Sequence, residues 1–140
     1  MQAVLEAAYQ FYFDYRERDM AEGRYPPYKA SGMSYIRFAK EEPQLFRLIF
    51  LRKRPEAEQT GEAGKDERIL ALVEKNTGLS RPLVELLHLE LWALVHGIAV
   101  LTATGNQDIS EEMISEMLTD VYIGAQKMQK EKEMQHGKYD

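Results

Sequence analysis

Apolar residues recur along this chain at steps of three and four, with no sustained alternation of the kind a strand shows. Val4, Leu5, Ala8, Phe11, Tyr12 and Tyr15 form the first such stripe and predict an amphipathic helix from Met1 to about Met20, ended near Gly23. The Tyr25-Pro-Pro-Tyr28 turn predicts the start of a second helix, which runs to about Glu41 with Tyr35, Ile36 and Ala39 on its apolar face. Proline suits the first turn of a helix and breaks an interior, so Pro43 opens a short third helix to Leu51. The polar stretch from Arg52 to Gly64, with two glycines and Pro55, predicts a mobile loop. A fourth helix follows from about Lys65 to Asn76, with Ile69, Leu72 and Val73 inward and Asn76-Thr-Gly78 at its end.

The fifth helix, from Ser80 as N-cap to about Thr104, is apolar on two nearly opposite faces. Val84, Leu87, Leu91, Leu94, Ile98 and Leu101 share one face. Leu86, Leu89, Ala93, His96 and Val100 follow the same steps, offset by roughly 200°. Between them runs a third stripe of Glu85, His88, Trp92, Val95 and Ala99. The last helix starts at the capping-box-like Asp108-Ile-Ser-Glu111 and carries a seam of Ile114, Leu118, Val121, Ala125 and Met128. One subunit cannot cover all these stripes. The pattern therefore predicts an all-α antiparallel bundle of five to six helices that homodimerises through its last two as a four-helix bundle. The expected interface is Leu86, Leu89, Ala93, His96 and Val100 with Ile114, Leu118, Val121 and Ala125. The domain is expected to occupy residues 1–130, and the polar residues 131–140 to fray.

With 140 residues and 44% hydrophobic content the chain buries one ordinary core. It has no cysteine, which excludes disulfides and thiolate chemistry, and no basic, apolar leader opens it. Residues 86–105 are apolar enough to raise a membrane span, yet His88, Glu90 and His96 favour a buried helix with no membrane contact. A net charge of −5 argues against a nucleic-acid surface, and Arg52-Lys-Arg54 is followed at once by Glu56 and Glu58. These features describe an acidic cytoplasmic domain.

Candidate chemistry is sparse. His88 and His96 are eight residues and roughly 12 Å apart, too far to share a metal, so no metal or cofactor is expected. Ser31 and Ser34 have no identifiable base and Glu41-Glu42 diverge on a helix, so no catalytic residue and no enzyme is expected. Aromatic residues are abundant on the first three helices. Tyr12, Tyr35, Phe38, Phe46 and Trp92 are the candidates to wall a pocket around the break at Pro43.

The stretch Tyr35-Ile-Arg-Phe-Ala-Lys-Glu-Glu-Pro-Gln-Leu-Phe-Arg-Leu-Ile-Phe50, with Trp92-Ala-Leu-Val-His-Gly97 beyond it, resembles the regulatory domain of tetracycline-repressor (TetR) family transcription factors that carry a Trp-x-x-x-His-Gly signature. The resemblance spans nearly the whole chain. It implies a homodimeric domain that binds a small apolar or amphipathic effector. Operator DNA would be read by a helix-turn-helix domain of the full-length parent, none of which precedes the first helix here. The alternative is a stand-alone helical dimer that acts as an interaction module or antagonist through mixed dimers, and a small-molecule-processing enzyme ranks third.

Overall fold

The computed structural model describes residues 2–52 and 66–139, with side chains described as far as residue 135. Lys53 and Arg54, and the loop expected through Gly64, lie outside the described residues. Among the described residues six α-helices follow in order: α1 Gln2–Glu22, α2 Pro27–Glu41, α3 Pro43–Phe46, α4 Glu67–Thr77, α5 Arg81–Ala103 and α6 Glu111–Tyr139. No strand occurs among the described residues, so the protein is an all-α bundle.

Local signals set most of the helix ends. Gly23 and Gly78 take φ of 72° and 71° after α1 and α4, the left-handed region where a Cβ is costly. Asp66 caps α4 by accepting from the backbone N–H groups of Arg68 and Ile69. Glu42, preceding Pro43, leaves the helical region at φ −130° and ψ 60°, because the proline ring clashes with a helical predecessor. The chain bends there and restarts. After Phe46 the backbone widens into a π-helical turn over Arg47–Leu51, which places Ile49 fully inside and leaves Leu51 outside.

The two expected caps have different outcomes. Ser80 holds the N-cap position of α5, as expected, but its side chain does not bond the helix; its Oγ donates to Glu133 Oε2 at 2.9 Å and its N–H to Oε1 at 2.7 Å. Asp108 does not start α6; Ser110 does, its Oγ accepting from the N–H of Met113. α6 continues unbroken to Tyr139, and Gln129, at 1% exposure, donates from Nε2 to Glu90 Oε1 at 2.8 Å. These long-range bonds from Gln129 and Glu133 fasten a segment whose composition alone reads as solvent-exposed.

α2 lies at the centre, packed on α1 and α5, while α4 and α6 flank α5. The core divides in two. An aromatic cluster joins α1, α2, the bend and the C-terminal half of α5 around Tyr12, Tyr35, Phe38, Phe46 and Ile49. An aliphatic cluster of Leu70, Val73, Leu79, Val84, Leu87 and Leu91 joins α4 to the N-terminal half of α5. α5 is long and apolar enough to cross a membrane, but Val84, Leu87, Leu91, Val95 and Ile98 are buried in these two clusters.

Candidate ligand pocket

Between the two clusters the helices do not close. A cavity of about 1110 Å³ remains, bounded by α1, α2, α4, α5 and α6. Three of the five expected pocket residues line it: Tyr12, Tyr35 and Trp92. Phe38 and Phe46 do not. Both are fully buried in the aromatic cluster, with the Phe38 ring centre 5.1 Å from Tyr12 and that of Phe46 5.4 Å from Tyr35. They stand behind the wall: edge-to-face contacts fix the rings of Tyr12 and Tyr35, whose other surfaces border the cavity.

Further lining residues are Tyr28 and Gly32 from α2, His88 and Val95 from α5, and Leu118, Thr119 and Tyr122 from α6. Tyr28, Gly32 and Tyr35 stand at steps of four and three on α2, one stripe of a helix. Following that stripe backward from Tyr35 would have found the other two. Gly32 marks a close approach: a Cβ there would meet Leu118 Cδ2 at 3.2 Å and Val95 Cγ2 at 3.3 Å, so glycine lets α2 sit against α5 and α6 at this level.

Two tyrosine–histidine contacts tie α2 to α5. Tyr28 Oη lies 2.8 Å from His88 Nδ1, and Tyr35 Oη lies 2.8 Å from His96 Nδ1. Trp92 sits between these levels with its indole stacked on the His96 ring, 4.8 Å between centres and 12° between planes. Its Nε1 is buried and has no hydrogen-bond partner among the described residues. Burial pushes the Tyr12 phenol up to about 12 and raises that of Tyr28 further, so both stay protonated at neutral pH.

The charged lining comprises Arg16, Lys29, Arg52 and Asp66. Arg16 Nη1 pairs with Asp66 Oδ2 at 3.1 Å, while Oδ1 of the same carboxylate caps α4. Lys29 Nζ donates to Thr119 Oγ1 at 2.8 Å. Sequence periodicity gave no sign of these polar groups, because they come from turns and helix flanks that meet only in the fold.

The expected interface residues separate. Leu86, Leu89 and Ala93 are exposed on the outward side of α5. His96 is engaged by Tyr35 within its own chain, and Val100 packs against the aromatic cluster. Ile114 and Leu118 are buried in that cluster, at 6% and 4% exposure, while Val121 and Ala125 pack against the aliphatic one. Ile114 and Leu118 thus pack inside their own subunit, where α6 covers the flank of α5 that α2 and α4 leave open. Gly97, from the signature, has nothing within 4 Å of a notional Cβ and lies on the outward side of α5 with Ala93.

Comparison with known proteins agrees with this architecture. The family described as the tetracyclin repressor-like C-terminal domain matches residues 28–121, from the start of α2 into α6. Neither a curated protein nor a solved structure matches the chain. The matched segment holds the break at Pro43, all of α5 and most of the cavity wall, and the chain belongs to the TetR-like C-terminal domain family.

Proposed function

We propose that this chain is the effector-binding and dimerising part of a cytoplasmic TetR-like transcriptional regulator. The observation that carries the reading is the cavity of about 1110 Å³ that divides the core beside the only tryptophan. A domain of this size closes its core unless the space has a use, since interiors pack to crystal-like density. The cavity is large enough for a drug-sized molecule, and its wall is mostly ring faces and aliphatic groups with a few polar ones, as ligand sites are.

The mechanism follows from the placement. A ligand in the cavity touches α1, α2, α4, α5 and α6 at once, so it favours whichever arrangement of these helices it fits best. α5 carries that preference outward, since Leu86, Leu89, Ala93, Gly97 and Leu101 form an exposed stripe on its far side where a second copy would seat. Operator DNA is then contacted by another part of the full-length regulator, not by this acidic chain.

The test is a screen of small apolar and amphipathic compounds against the protein and a Thr119→Phe variant that narrows the cavity. A true effector raises the melting temperature of the parent protein by mass action and changes Trp92 emission. The variant should lose both responses while keeping its own fold. A compound that stabilises both proteins equally binds elsewhere, and that outcome across the screen would remove the cavity from the reading.

A further inference from the structure

Among the described residues the charged groups around the cavity are unequal: Arg16, Lys29 and Arg52 face it against the single carboxylate of Asp66. This is the reverse of the whole molecule, where 23 acidic residues outnumber 18 basic ones. Asp66 is also committed twice, to Arg16 through Oδ2 and to the N-terminus of α4 through Oδ1. Lys29 stands apart from that pair. Its ammonium donates to the neutral hydroxyl of Thr119 and lies 5.3 Å from the centre of the Tyr25 ring. Among the described residues the only acceptor for its charge is thus uncharged, and the side chain is half-buried. A cation held in a partly desolvated wall against a neutral partner gains strongly from an incoming anion.

Several of the remaining polar groups are turned to the protein itself. The hydroxyls of Tyr9, Tyr28 and Tyr35 are directed to Ile49 O, His88 and His96. What these tyrosines offer the cavity is ring surface. We propose that the effector is an amphipathic organic anion, whose apolar body lies against the tyrosine and Trp92 rings and whose acidic group is taken by Lys29 with Thr119. An organic cation is disfavoured, because it would bring its charge toward three basic side chains and one carboxylate already in use. The proposal rests on the reading of the cavity as the effector site.

A matched pair of probes separates the two ideas. 8-Anilinonaphthalene-1-sulfonate and N-phenyl-1-naphthylamine share one aromatic body and differ by the sulfonate; energy transfer from Trp92 reports binding near the cavity. The parent protein should bind the sulfonate at least about tenfold more tightly than the neutral amine. Lys29→Gln should abolish that preference while leaving affinity for the neutral probe within about twofold, and Lys29→Arg should retain it. Equal affinity of the parent protein for both probes overturns the anion inference while the cavity reading stands. So does a sulfonate preference that survives Lys29→Gln, which would mean that a group other than Lys29 holds the sulfonate. If neither probe draws energy from Trp92, the cavity reading falls and the anion inference with it. Should Lys29→Gln fail to fold, the Thr119→Val variant carries the same test, since it removes the hydroxyl that positions the ammonium; an unchanged preference there also counts against the proposal.

Discussion

The two faces of α5 have nearly the same composition and opposite fates. Inward, Val84, Leu87, His88, Leu91, Val95, Ile98 and Ala99 are buried and form one wall of the cavity and both core clusters. Outward, Leu86, Leu89 and Leu101 keep 37%, 55% and 40% of their surface, with Ala93 and Gly97 between them. The inward face is held by partners of its own chain, including the hydroxyls of Tyr28 and Tyr35. On the outward face Glu90 is turned to Gln129, and the exposed leucines have no such partner within the chain. Hydrophobicity alone therefore does not separate a face that makes a fold from a face suited to a second molecule. The difference lies in partners within the chain.

Substitutions on the two faces should break apart in kind. Leu87→Ala, at a fully buried site, should cost about 2–5 kcal/mol in urea unfolding at any protein concentration. Leu89→Ala, at 55% exposure, should change the stability of the isolated subunit by less than about 0.5 kcal/mol. Equal costs for the two would erase the distinction between the faces.

Ala93→Glu sharpens it further. A charge in the middle of the outward stripe should leave the helical signal intact and shift the mass seen by light scattering from two chains toward one, with dimer affinity weakened at least about hundredfold. The same change at Leu118 should instead unfold the subunit, since Leu118 is buried inside it. A parent protein that is monomeric at low micromolar concentration would remove the dimer from the outward face altogether.

Smaller effects test the inward face at its polar contacts. Tyr28→Phe removes only the hydroxyl 2.8 Å from His88 Nδ1 and should cost about 1 kcal/mol, with a change in the affinity of any cavity ligand. Tyr35→Phe should cost a similar amount, and its change should also be visible in Trp92 emission, because His96 stacks on that indole. If Trp92 emission is indifferent to Tyr35→Phe, the indole does not sense that contact.

The smallest expected effect lies away from both faces. Hydrogen bonds from Tyr15 and Arg37 hold the Glu41 carboxyl below its ordinary value, with the Tyr15 bond the larger cause. A carboxyl with a lowered folded-state pKa adds stability above its unfolded value near 4.5 and loses it as pH falls through the folded value. Glu41→Gln should therefore flatten the pH dependence of stability slightly below about pH 5, by a few tenths of a kcal/mol at most, since Arg37 and Glu41 are half-exposed and screened. A larger effect would mean that acid sensitivity is concentrated at this site rather than spread over the surface.

The helices themselves were legible in the sequence because their signals are local. Pro27, Pro43 and Gly78 act within a turn of where they stand, and periodicity alone showed that α5 is apolar on two sides. That Trp92, Tyr12 and Tyr35 border a cavity was legible for a different reason, since aromatic excess around a helical break requires space or packing and they met both. The tertiary structure alone decided which aromatics became core: Phe38 and Phe46 are fully enclosed by the fold around the π-helical turn, a matter of backbone path that composition does not encode. It alone placed Ile114 and Leu118 in the core of their own subunit and carried α6 to Tyr139, where Gln129 and Glu133 find their partners 39 and 53 residues away. The polar wall of the cavity is of the same kind. Lys29 and Thr119 are 90 positions apart, and Arg16 and Asp66 are 50. Periodicity places residues on a face of one helix, and only packing decides which faces meet.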